Sequence, residues 1–154
     1  MNKLPVRKAV GVVIRCSRLP QHLLLVKKVK QEDISKRNIT PEWDLPKGGM
    51  KTGEIEEQTV WRELEEELGS INFQLVGKLP ININFNFPEL SNAKYSGQQT
   101  SLYLIDYHGT VEELKPNSTE IGEIKAVHLD EIHKFVKFEE TLNAIKKMRL
   151  KSIL

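Results

Sequence analysis

The sequence predicts an α/β protein built in mixed layers, and three observations carry that expectation. Residues 81–87 read Ile-Asn-Ile-Asn-Phe-Asn-Phe, an unbroken apolar–polar alternation with the period of a half-buried strand. Residues 54–68 contain neither Gly nor Pro and stop at Gly69, as a helix does. Near the end of the chain Leu142, Ile145 and Met148 recur at helical spacing.

Taken in order, the apolar runs at 10–14 and 23–26 are short and rich in Val, Ile and Leu, with Arg18, Pro20 and Gln21 as turn chemistry between them. Both are predicted strands. Residues 30–40 are too poor in apolar side chains to form an element, so they are predicted as a loop leading to Trp43-Asp44-Leu45-Pro46. Gly48, Gly49 and Gly53 let the backbone turn tightly or approach a ligand, and Thr52-Gly53 introduces the helix over 54–68. Strands follow over 81–87, 100–107 and 124–129, and an amphipathic helix over 139–151. No internal repeat or low-complexity linker divides the chain, so one core is expected.

At 154 residues, 39% hydrophobic and a mean hydropathy of -0.40, the chain is long enough to bury about two-thirds of its unfolded surface. No apolar run approaches the roughly 20 residues of a membrane-spanning helix. The lone Cys16 cannot form an internal disulfide, and its apolar surroundings predict a buried, inert thiol. The N-terminal MNKLPVRK has no long apolar segment of a leader, so a cytoplasmic protein is expected. The net charge of +2 hides a segregation. Residues 54–68 carry seven Glu and one Arg, a local -6, and the other 139 residues sum to +8. A basic remainder suits a polyanionic substrate, and no stable protein partner is implied.

Within the acidic helix, Val60, Trp61, Leu64 and Leu68 share the side expected to face the core. Glu63, Glu66 and Glu67 form a separate stripe at i, i+3 and i+4, where like charges cost about 0.2–0.5 kcal/mol per pair. Arg62 can reach Glu66 across one turn but cannot balance three carboxylates. A hard divalent cation can, because Mg²⁺ takes carboxylate oxygens and shares its remaining positions with water and phosphate. A plain solvated face is the alternative. Against it stand the absence of Lys over 54–68 and the glycine loop before the helix.

These residues resemble the Nudix hydrolase family. Gly48, Glu54 and Arg62-Glu63-Leu64-Glu65-Glu66-Glu67-Leu68-Gly69 fill the pattern G-x5-E-x7-R-E-U-x-E-E-x-G-U, with U a bulky aliphatic residue. Only the final U departs: Ser70 stands there, with Ile71 after it, which predicts a strand entry displaced by one residue. The resemblance implies an α/β/α sandwich around a mixed β-sheet, with residues 1–154 as a single Nudix hydrolase domain. It implies Mg²⁺ or Mn²⁺ as cofactor, held by Glu63, Glu66, Glu67, Gly48 and a further acid. Glu67, Glu66 and Glu63 are then catalytic, with the Glu67 position most often polarising the attacking water. Arg62 and Glu54 would tie the loop to the helix.

More narrowly, Trp43-Asp44-Leu45-Pro46-Lys47-Gly48-Gly49 and Gly97-Gln98-Gln99 are similar to the branch of bacterial RNA 5′-pyrophosphohydrolases and diadenosine tetraphosphate hydrolases. That branch implies a nucleoside polyphosphate or an RNA 5′ end as substrate. It also implies an acidic ligand or base on a later loop, for which Glu120 is the candidate and Glu123 the competitor. Arg7 matches a phosphate-binding arginine, Lys47 and Gly48-Gly49 lie where phosphate would pass, and Tyr95 could stack on a base; plain surface roles suit Arg7, Lys47 and Tyr95 as well. Trp43 and Trp61 are expected in the core, while His108, His128 and His133 follow no ligand spacing. Lys27, Lys28 and Lys30 are expected to be solvated. Hydrolysis of ADP-ribose, other nucleotide sugars or oxidised nucleotides stays open, as does a non-catalytic nucleotide-binding module or an acidic helix engaging a basic partner.

Overall fold

A computed structural model describes residues 4–31, 37–87 and 94–154. Residues 1–3, part of the N-terminal segment searched for a leader, and 32–36 of the predicted loop lie outside the described residues. In chain order the strands are β1 (Val6–Cys16), β2 (His22–Gln31), β3 (Arg37–Asp44), β4 (Lys47–Gly49), β5 (Gln74–Asn86), β6 (Gly97–Tyr107) and β7 (Ile121–His128). Helix α1 (Glu56–Leu68) follows β4, and α2 (Glu139–Leu150) follows β7. The strands form one mixed sheet in the order β3-β2-β1-β6-β5, with β4 beside β1 and β7 beside β2. β1 and β6 run parallel and the other pairs are antiparallel.

Strand alternation sorts the apolar runs onto two faces. Val10, Val12, Ile14, Leu24 and Val26 pack with Val60, Leu64 and Leu68 of α1. Val13, Leu23, Leu25, Ile83, Leu102 and Leu104 pack on the other side with Ala144, Ile145 and Met148 of α2. The sheet is therefore sandwiched between helices, as expected. Because both faces are covered, β1 and β2 read as nearly continuous apolar runs. Cys16 is buried, and burial pushes its thiol up to about 11. Among the described residues, no helix is long and apolar enough to cross a membrane.

The predicted loop over 30–40 is overturned in part, because residues 37–40 open β3. That strand lies at the sheet edge and is held by its ladder to β2, Gln31↔Arg37 and Lys30↔Asn38 at one end and Lys27↔Trp43 at the other. Backbone pairing makes it a strand without an apolar pattern. β5 also extends well before the alternating segment, beginning at Gln74. Ser70 accepts the Asn72 N–H on its hydroxyl at 2.9 Å, so the departure at the end of the motif makes a turn and delays strand entry by more than one residue.

Two features place the end of α1. Gly69 takes the left-handed conformation at φ 67°, and a Cβ there would lie 1.7 Å from the Lys115 carbonyl oxygen. The last carbonyls of the helix are met by the 115–117 segment: Leu68 O accepts Lys115 N–H at 3.2 Å, Glu66 O accepts Asn117 N–H at 2.9 Å and Glu65 O accepts Asn117 Nδ2 at 3.1 Å. β1 and β2 share a register position at Arg15↔Leu23, and toward its N-terminus β1 takes β4 as neighbour through Gly11↔Lys47, Val10↔Gly48 and Ala9↔Gly49. α1 also packs against β1 and β4. The glycine strand and the acidic stripe thereby meet.

Candidate active site

Arg62 clasps the loop to the helix. Its Nε donates to Glu54 Oε2 at 2.7 Å, and its Nη2 to Glu54 Oε1 and to Gly49 O, both at 2.8 Å. Nη1 reaches Glu63 Oε1 at 2.8 Å and Glu66 Oε2 at 3.5 Å. The partner expected from helical spacing, Glu66, is thus the most distant of these. Glu54 also accepts Lys51 N–H at 2.7 Å and Thr59 Oγ1 at 2.9 Å. The Arg62 hydrogen bonds, ahead of those from Lys51 and Thr59, hold the Glu54 carboxyl at about 2.

The acidic stripe is not a uniformly solvated face. Glu67 is 1% exposed and Glu63 7%, while the Glu66 side chain keeps 44%. Glu67 Oε1 accepts Lys47 N–H at 3.1 Å, and its Oε2 lies 4.0 Å from Lys28 Nζ. Burial, only partly offset by Lys28, pushes the Glu67 carboxyl up to about 8. Burial and then the neighbouring Glu66 raise Glu63. Gly48 is required for this packing, since a Cβ there would meet Glu63 Oε1 at 2.0 Å.

The next glycine serves a second group. A Cβ on Gly49 would lie 2.4 Å from Arg7 Nη2, so the guanidinium rests directly on the glycine backbone. Arg7 Nη1 donates to Gln98 Oε1 at 2.8 Å, and Gln98 Nε2 donates to Thr100 Oγ1 at 3.2 Å. In the ladders Gln98 pairs Arg7 on one side and Phe85 on the other. Lys47 takes a different course from a free point charge: its Nζ binds Asp44 Oδ2 at 2.8 Å and sits 4.7 Å from the Phe85 ring centroid and 5.6 Å from that of Phe138. Its backbone N–H, rather than its ammonium, meets the acidic stripe of α1, at Glu67.

Of the two loop acids, Glu120 is the one brought near α1. Its carbonyl accepts Val29 N–H at 2.8 Å, and its charge acts on both Lys28 and Glu67. Glu123 is exposed on β7 opposite Lys27. Tyr95 is exposed on the segment entering β6, two residues before Gly97. Trp43 packs edge-on against Phe135, and Trp61 against the α1-side core. His108 bridges Ser17 and Gln74, His128 accepts the Asp130 N–H at 3.0 Å, and His133 is exposed. The three histidines follow the structural or surface expectation, while both tryptophans, expected in the core, are only partly buried against its edge.

Lys28 does not. The sequence placed it in a solvated patch, yet its side chain is only 25% exposed and its Nζ donates to Lys47 O at 3.3 Å. Burial alone would lower its pKa, but Glu67, then Asp44, Glu63 and Glu120, hold it above its ordinary range. Alternation is the signal that could have found it, because Leu24 and Val26 precede it on the buried α1 side of β2.

Among the described residues, no three His, Cys, Asp or Glu side chains already converge around one point. Glu63 and Glu66 turn to Arg62, and Glu67 to Lys28. The donor set nevertheless suits a hard divalent ion: carboxylate oxygens on one helical face, two of them desolvated and raised, beside a glycine backbone with no side chain in the way.

Residues 5–147 match the NUDIX domain. An RNA pyrophosphohydrolase of a Sulfurovum species is 30% identical over 149 residues, 94% of this chain and 85% of its own length. Another, of a Nitratiruptor species, is 25% identical over 142 residues, covering 90% and 88%. In three dimensions an Ap4A hydrolase of C. elegans, solved as a binary complex, superimposes with a TM-score of 0.71 at 20% identity, covering 96% of this chain and 98% of that one.

Proposed function

Because this chain belongs to the NUDIX domain family, we propose that it is a divalent-metal-dependent pyrophosphohydrolase acting on a triphosphorylated RNA 5′ end or a related nucleoside polyphosphate. The observation that carries this is the pair Gly48-Gly49, whose two bare sides receive a buried carboxylate and a guanidinium respectively. A cation-binding group and a phosphate-binding group stand on adjacent residues. The RNA pyrophosphohydrolase of Sulfurovum, similar over nearly the whole chain, favours the RNA 5′ end among polyphosphates.

Glu63, Glu66 and Glu67, with Glu120 and the backbone at Gly48, would hold Mg²⁺ or Mn²⁺. When bound, such an ion neutralises the non-bridging phosphate oxygens and lowers the pKa of water. Glu67, held by the Lys47 N–H and facing Lys28, would as a carboxylate be suited to accept the proton of the attacking water. Water oxygen bonds to phosphorus, the bridging P–O bond breaks, and the electron pair leaves with the departing phosphate. Arg7 binds phosphate over Gly49, while Arg62 and Glu54 keep loop and helix in register. Residues 1–154 act as one domain, in the cytoplasm.

Purified protein with Mg²⁺ or Mn²⁺ should release phosphate or pyrophosphate from triphosphorylated RNA in preference to diadenosine tetraphosphate, ADP-ribose or deoxynucleoside triphosphates. Faster turnover of one of the other three would reassign the substrate. No turnover of any, with metal present, would overturn the enzyme assignment.

A further inference from the structure

Lys28 lies outside the glycine-to-helix motif, on a strand well before α1 in sequence, and yet its ammonium reaches the acidic stripe at Glu67. β2 alternation continues from Leu24 and Val26 to Lys28 on the α1 side. The ladders to both neighbours change register there, between Lys27 and Lys28 toward β7 and between Lys28 and Lys30 toward β3. Irregularities of this kind re-aim side chains. The ammonium is anchored on the Lys47 carbonyl at 3.3 Å and stands 4.0 Å from Glu67 Oε2. Glu63 has Arg62 and Asp44 has Lys47 as close partners. Among the described residues, the ion pair of Glu67 is with Lys28.

We infer that Lys28 is a positioning residue, a resident cation that holds the Glu67 carboxylate in place and weakens the site's grip on a divalent ion. This rests on the proposal that the α1 carboxylates form the metal site. A fixed positive charge beside the carboxylates repels an incoming cation, and removing it is worth on the order of tenfold in affinity.

The test is titration of Mn²⁺, followed by the spectrum of the free ion, into metal-stripped wild type, Lys28→Met and Lys28→Arg. Lys28→Met should bind about tenfold more tightly, and Lys28→Arg, which restores the charge, should return to within about twofold of wild type. Thermal melts give a second readout independent of hydrolysis. In chelator the Met variant should melt below wild type, and Mn²⁺ should raise its melting temperature by more. Lys28→Gln serves if the Met variant does not fold. Equal or weaker Mn²⁺ binding by the neutral variant, with wild type binding normally, overturns the role of Lys28 alone. Failure of wild type itself to bind Mn²⁺ overturns the metal site and this inference with it.

Discussion

Replacing Glu67 by Gln tests the electrostatics of the site without altering its shape. The amide oxygen can still accept the Lys47 N–H now bonded at 3.1 Å, so packing is preserved. The carboxyl has a pKa of about 8 in the folded protein against an ordinary 4.5. Between those values the folded state binds a proton that the unfolded state has released, so Glu67 makes the metal-free protein less stable as pH rises from about 4.5 to 8. At pH 7 this penalty is about 2–3 kcal/mol once the lost attraction to Lys28 is allowed for. For a chain of this length that is roughly 5–10 °C in melting temperature. In chelator, Glu67→Gln should therefore melt above wild type at about pH 7–8 and level with it near pH 4.5. Addition of Mn²⁺ should narrow or reverse the gap, because the ion stabilises only the carboxylate form, and hydrolysis should fall by about 10²–10⁴. Thermal denaturation across pH, with and without Mn²⁺, reads all of this. A variant that melts at or below wild type at about pH 8 without metal would refute the buried, destabilising carboxylate.

Glu54 has the opposite sign: its folded carboxyl is depressed to about 2, so its stabilisation is complete above about pH 4.5 and is lost as pH falls from there to 2. Glu54→Gln should lose up to about 3 kcal/mol at neutral pH and show a flatter acid limb in urea melts. Gly48→Ala should push the flexible end of Glu63 aside while leaving the core intact, with kcat falling on the order of 10²-fold and little change in melting temperature. Arg7→Ala should raise KM for polyphosphate substrates about tenfold, and the increase should shrink at high salt; an unchanged KM would remove Arg7 from the phosphate site.

How much of this was legible depends on where the interacting residues sit in the chain. α1 and its acidic stripe are local, so spacing alone exposes Glu63, Glu66 and Glu67 as neighbours. The buried strands are legible because two covered faces force continuous apolar runs. β3 was hidden because an edge strand is held by backbone bonds that leave no mark on side-chain composition. The burial of Glu67 and the Arg7–Gln98 contact arise where elements distant in sequence meet, and no spacing rule reaches across the 91 residues between Arg7 and Gln98; the side taken by Lys28 follows from strand alternation, but its approach to Glu67 does not. Lys47 shows the converse: it lies in the expected place, yet Asp44 and two aromatic rings, contributed by three different segments, decide where its charge goes.

The parallel ladder of β1 and β6 runs without a break from Val6↔Gly97 to Cys16↔Tyr107. Every rung closes a chain loop of about ninety residues, so the central strand cannot find its partner until synthesis has passed Tyr107. Until then the apolar face of β1 waits without its permanent neighbour, and Arg7 waits without Gln98. Formation of that ladder should be the slow step of folding, and the Arg7–Gln98 contact beside Gly49 should be among the last parts to assemble.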